Sequence, residues 1–203
     1  MARIIDLRVV ELLAARLCHD LIGPVSAIGN GVELLAEEEG GFLREAVALV
    51  GDSARKANKT LQFCRFAYGF SGGGLAGPAP SVLAAEFFAE TSIECDYGAA
   101  VEALPLEQQK LGCAMLASTA DGLPRGGRLV LTVGTFGPEV GATGEGRGLS
   151  PEMRAALTLA ASAADLTSRT VGGYFAGLIA EGLGCRLVID DQPGGFRLAT
   201  AGL

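Results

Sequence analysis

The chain has 203 residues, a formal net charge of -7 and one histidine. With a pI near 4.8 it is poorly suited to nucleic acid, whose phosphates are bound by clustered lysine and arginine. Hydrophobic residues make up 49% of the chain, enough for a core, and its five cysteines (18, 64, 95, 113, 185) contain no CxxC pair, so neither a disulfide framework nor a zinc site is indicated and buried or half-buried thiols are expected.

In chain order, charge returns early at Asp6 and Arg8, unlike a secretory signal, and a cytoplasmic setting is the expectation. Apolar residues then alternate in steps of three and four: Leu7, Val10, Ala14, Leu17, Leu21, Pro24, Ile28, Gly31 and Leu35, the seam of a helix. Pro24 removes one helical hydrogen bond, at a cost of about 3 kcal/mol. The heptad nevertheless continues through it in phase, which predicts one bent helix. His19 stands two residues past Leu17, about 200° around that helix at roughly 100° per residue, and should face solvent or a visiting partner.

After a turn at Gly40-Gly41 a second heptad follows: Leu43, Val47, Val50, Ala54, Ala57, Leu61, Cys64 and Tyr68. Two long helices and a short turn make an antiparallel hairpin. A lone hairpin cannot enclose its apolar stripe, whereas two copies make a four-helix bundle, so a homodimer is expected. Between Asp52 and Arg65 lie four cations (Arg55, Lys56, Lys59, Arg65) against one anion, 4 - 1 = +3, which reads as a solvated helix face or as a patch to meet an acidic protein surface. The uncharged run from Phe66 to Ala85 contains Ser71-Gly72-Gly73-Gly74 and Gly77-Pro78-Ala79-Pro80 and reads as a linker, not a membrane span. The expected organisation is a hairpin over 1–71, a linker over 72–80 and a second domain over 81–203.

Beyond Pro80 the pattern becomes mixed. Ser81 to Glu90, with Ser81 as N-cap, and Leu106 to Ala120, after Pro105, read as helices. Arg128 to Val133, Cys185 to Asp190 and Phe196 to Thr200 have strand character, and Thr91 to Tyr97 has it more weakly. Pro151 to Ala163 and Arg169 to Gly182 complete the helices. The whole is α+β, with helices over one face of a mixed sheet.

The segment Leu17-Cys18-His19-Asp20-Leu21-Ile22-Gly23-Pro24 resembles the phosphoacceptor box of sensor histidine kinases and related histidine phosphotransferases: an acidic residue after the histidine, an apolar pair, then proline. The later element order resembles the ATP-binding domain of those kinases. There, two asparagines hold magnesium and phosphates; the aligned residues here are Ala114 and Ser118, and alanine has no ligating atom. Gly144-Glu145-Gly146-Arg147-Gly148 lacks the aspartate of the Asp-x-Gly-x-Gly adenine motif. The stretch Val171 to Leu178 is at best an echo of the glycine-rich lid, with bulky Tyr174 and Phe175.

Together, residues 15–31 and the turn Ala120-Asp121-Gly122-Leu123-Pro124-Arg125-Gly126-Gly127 resemble the ChpT-type histidine phosphotransferases of bacterial phosphorelays, over essentially the whole chain. The resemblance implies a hairpin that dimerises into a four-helix bundle, followed by a degenerate kinase ATPase-like α/β sandwich that binds no ATP. It implies that His19 shuttles a phosphoryl group between the receiver domain of a hybrid kinase and those of response regulators. Asp20 would accept a hydrogen bond from the other ring nitrogen, and the receiver would be met by the helix surface at Leu12, Arg16, Ile22, Gly23 and Ser26. No cofactor is expected on this chain, since magnesium would sit in the receiver's acidic pocket, and neither nucleic acid nor a membrane is an expected partner. Two alternatives are a divergent active ATP-dependent histidine kinase and a non-catalytic dimeric scaffold.

Overall fold

The protein is described by a computed structural model covering residues 5–36, 43–69, 77–145 and 148–203. Helix α1 (Leu7–Ala36) runs unbroken through Pro24, as the in-phase heptad predicts. Pro24 has no N–H for the Asp20 carbonyl four residues back, so one rung is missing immediately beyond His19. Helix α2 (Leu43–Tyr68) returns antiparallel beside α1, with Gly31 set against Val50 and Ala46. The turn at Gly40-Gly41 and most of the expected linker lie outside the described residues.

Two features of the hairpin depart from the heptad reading. On α2 the buried residues are Ala46, Ser53, Ala57, Phe63, Cys64, Phe66 and Ala67, whereas Leu43, Val47 and Leu61 of the predicted seam are exposed. Ala46 and Val50 meet α1 at Gly31, which allows close approach, and the exposed Leu43, Val47 and Leu61 lie on a neighbouring stripe. On α1 the most buried side chain is Val9, off the seam, which clusters with Ala156, Leu166 and Val171 while Leu12 and Leu13 pack alongside. The N-terminal half of α1 therefore carries a second apolar face, docked on the later part of the chain. Among the described residues α1 alone has the length and hydropathy, 1.2 over 18 residues, to cross a membrane by composition.

Helix α3 (Pro80–Phe88) starts from Ala79, with Pro80 at its first turn and no side-chain cap. Ser81 is thus not the N-cap: the fixed φ of Pro80 places the cap two residues earlier, at Ala79. The end of α2 joins the main core, where Phe63 stacks on Phe87 at 4.1 Å between ring centroids. Strand β1 (Ile93–Tyr97) leads by a 3-10 turn to α4 (Leu106–Ala120), which spans the predicted range.

Strands β2 (Gly127–Gly134) and β3 (Gly137–Thr143) form a hairpin, then α5 (Pro151–Leu157), α6 (Val171–Gly182), β4 (Cys185–Gln192) and β5 (Gly195–Gly202) complete the fold. Ser150 caps α5, accepting the Met153 N–H at 3.2 Å. That helix stops six residues short of the expected Ala163, since Leu159 takes a positive φ of 57° and turns the chain away. The sheet order is β1-β2-β3-β5-β4, with β1 parallel to β2 and the other pairs antiparallel. One face buries Leu129, Leu131, Val140, Phe196 and Leu198 under the helices. The other is polar, with Arg197 bridging Glu139 (2.7 Å) and Asp190 (3.0 Å). Three cysteines are buried and Cys95 is half-buried; Cys18 departs from expectation by standing exposed on the outer side of α1.

Candidate functional site

His19 projects from the middle of α1 with 83% of its side chain exposed. Its Nδ1 lies 3.3 Å from Oδ1 of Asp20. The other carboxylate oxygen, Oδ2, accepts the Nε–H of Arg16 at 2.9 Å, one helical turn back. Arg16 then leaves the helix: its Nη1 reaches Oδ2 of Asp121 at 3.5 Å and the Arg169 carbonyl at 3.4 Å. Asp121 caps the C-terminus of α4 and Arg169 precedes α6, so three elements converge behind the histidine. A cleft of about 620 Å³ opens in front of them, lined by His19, Asp20, Asp121, Ser150, Thr167 and Arg169 among others.

The charges in this network are unequally satisfied. Burial opposes the charge on Arg16, but Asp121 and Asp20 outweigh it and hold the guanidinium more firmly protonated than usual. Burial raises the Asp121 carboxyl above its ordinary range, Arg16 works against that rise, and Asp20 adds to it. Behind α1, burial and then the neighbouring Asp20 push the Cys64 thiol up to about 12, so it stays protonated at neutral pH.

The residues expected around the histidine divide into two groups. Ile22, Gly23 and Ser26 are exposed on its own side of the helix, and a Cβ at Gly23 would meet nothing within 4 Å. Leu12 packs instead against the cluster around Leu166, and Arg16 is engaged in the internal network. Asp121, in the Ala120–Gly127 turn, carries no local sequence signal of a site role. Arg169 takes part through its carbonyl, which no side-chain pattern announces.

On α4, Ala114 is fully buried and Ser118 is 3% exposed, with its hydroxyl donated to the Ala114 carbonyl at 2.9 Å. Helix α6 closes over that face. Its glycines are contact points: a Cβ at Gly173 would lie 2.6 Å from the Met153 sulfur, and one at Gly177 would lie 2.7 Å from the Leu157 carbonyl oxygen. The stretch that echoes a phosphate lid is therefore a packed helix. Gly146 and Arg147 of the other glycine run lie outside the described residues, and among the described residues no group of three or more acidic, histidine or cysteine side chains is placed to hold a metal.

Residues 80–194 match the family described as histidine phosphotransferase C-terminal domain. Over 186 residues the chain is 37% identical to the protein phosphotransferase ChpT of Brucella abortus (strain 2308), with 88% of each chain covered. The fold superposes on a solved bacterial phosphotransferase with a TM-score of 0.74 at 30% identity, covering 98% of both chains.

Proposed function

The chain belongs to the histidine phosphotransferase family, and from that premise we propose that His19 carries the phosphoryl group between receiver domains. The observation that carries this reading is that the sole histidine is exposed on a helix with a carboxylate 3.3 Å from one of its two nitrogens. With Nδ1–H donated to Asp20, the Nε2 lone pair is free and points outward. It attacks the phosphorus of a receiver's aspartyl phosphate. The P–Nε2 bond forms, the acyl P–O bond breaks, and its electron pair returns to the receiver's carboxylate. Asp20 stabilises the positive charge that develops on the ring. The reverse sequence on a second receiver discharges the phosphohistidine. Magnesium belongs to the receiver's acidic pocket, and this chain contributes no ligand to it.

The receiver docks over Ile22, Gly23 and Ser26, where the small residues admit a partner helix, and beside the cleft. Leu12 and Arg16, on the expected receiver surface, instead brace α1 from behind. A second copy of the chain covers the exposed Leu43, Val47 and Leu61 stripe and fills the apolar groove of about 460 Å³ formed with Leu13, Leu17 and Leu21, completing a four-helix bundle. The apolar length of α1 is thereby assigned to protein contact and not to lipid, consistent with a cytoplasmic setting. The second domain acts without nucleotide. Incubation with a radiolabelled phosphoreceiver, followed by a chase with a second unlabelled receiver, tests the relay. Label should pass through this chain to the second receiver; label that never leaves the first would reject it.

A further inference from the structure

We propose that Asp121 is a positioning residue for phosphoryl transfer: through the Arg16 guanidinium it fixes the Asp20 carboxylate against Nδ1 of His19. The inference rests on the reading of His19 as the phosphoacceptor.

Consecutive side chains on a helix diverge by about 100°, so an aspartate after a histidine has no inherent reason to face it. Here the carboxylate is divided: Arg16 Nε holds Oδ2 at 2.9 Å, which leaves Oδ1 facing the imidazole at 3.3 Å. Arg16 is in turn fixed from the other side by Asp121 and by the Arg169 carbonyl. Because the guanidinium is a rigid planar fork, anchoring Nη1 also sets the direction of Nε. Asp121 itself ends α4, a helix whose residues from Gln109 to Leu116 are all buried, so the anchor is a firm one. The N-terminal half of α1 is pinned to the same layer a second time, by Val9 and by Arg8 Nη2 donating to the Leu166 carbonyl at 3.3 Å.

Charge supports the same assignment. Arg16 stands between two carboxylates, and Asp20 is the one that faces the ring that becomes positive as Nε2 attacks. Burial disfavours the ionised Asp121, so this carboxylate is retained at a cost to the fold.

Potassium phosphoramidate is the probe, because it phosphorylates imidazole directly without receiver docking. Its P–N bond breaks, ammonia leaves, the P–Nε2 bond forms and the Nδ1 proton stays on the ring. Asp121→Asn and Arg16→Lys should each slow phosphorylation of His19 about five- to tenfold, the scale of a small loss of orientation, while Asp121→Glu keeps most of the rate. The single histidine provides a second readout: its ¹⁵N signals should move from the Nδ1–H tautomer in the parent toward Nε2–H in the two slow variants. A parent-like rate in Asp121→Asn, or a slow rate with the parent's tautomer signature, would overturn the inference. If circular dichroism shows Asp121→Asn unfolded, Arg16→Lys decides by the same two readouts. His19→Ala separates the two readings: if it is still phosphorylated, the phosphoacceptor reading fails, and if it is silent while Asp121→Asn matches the parent, only the role of Asp121 fails.

Discussion

A Cβ placed on Gly172 would lie 3.1 Å from the Tyr68 hydroxyl, so α6 comes down on the end of α2 across the face of α4 that carries Ser118. The same point is held by the Tyr68–Phe175 edge-to-face pair, with centroids 5.9 Å apart. The face of α4 that carries Ser118 is thus covered by side chains of the protein's own helices. Burial holds the Tyr68 phenol above its ordinary titration range, so it remains a neutral packing element.

The first prediction concerns that closed face. Ala114 offers no ligand and the Ser118 hydroxyl is already donated within its helix. Missing polar anchors, each worth on the order of 1 to 3 kcal/mol, should leave ATP unbound at any practical concentration. Calorimetry with ATP and magnesium should give no saturable heat. A micromolar dissociation constant would instead support a divergent active kinase.

Packing of the hairpin gives the second. A Cβ on Gly31 would stand 2.6 Å from Cγ2 of Val50 and 3.3 Å from the Ala46 carbonyl oxygen. Gly31→Ala should therefore destabilise the protein by about 1–3 kcal/mol in urea unfolding, as overpacking does. Shortening the neighbour in the double variant with Val50→Ala should recover part of that loss. Strictly additive losses would show that the two helices do not meet at this point.

Dimerisation is tested at Leu61, which is 51% exposed in the protomer and lines the groove beside α1. A glutamate there costs an isolated protomer little but would leave an unpaired charge inside a bundle. Sedimentation should show a dimer for the parent and a folded monomer for Leu61→Glu. A parent that sediments as a monomer at micromolar concentration would remove the bundle.

The raised carboxyl of Asp121 predicts a pH effect on stability. A group whose folded pKa exceeds its unfolded value binds more protons when folded, so its contribution to stability declines as pH rises between the two. The window opens near the ordinary value of 3.8 and extends upward. Below it the cost of burying the anion is absent, and above it the cost is fully present. Asp121→Asn should flatten this part of the difference in stability between acid and neutral pH, measured by urea unfolding at each pH. Parallel curves for parent and variant would show that the carboxyl is not perturbed.

Much of this organisation was legible in the sequence because strong local signals agreed with tertiary packing. The in-phase apolar series announced α1 through Pro24, and Pro105 announced the start of α4 at Leu106. β3 was invisible: Gly137-Pro138-Glu139-Val140-Gly141 lacks the β-branched alternation of a strand, and its pairing with β2 and β5 supplies what its propensity does not. The second face of α1 was hidden for another reason. A heptad count tracks one stripe, whereas Val9 and Leu12 serve a partner more than 140 residues away in the chain, at Leu166. Around the candidate site, His19 and Asp20 stood out by type and order. The link to Asp121 did not, since an ion pair across 105 residues leaves no local pattern.

The most direct test of the account is the fate of label on a chain with no histidine. His19→Ala alters an exposed helical position and should change stability by no more than about 0.5 kcal/mol. After incubation with a ³²P-labelled phosphoreceiver, the parent should carry label that is lost in acid and retained in base, as a phosphoramidate is. The folded His19→Ala protein should carry none. Acid-labile label persisting on that variant would contradict the assignment of His19 as the phosphoacceptor.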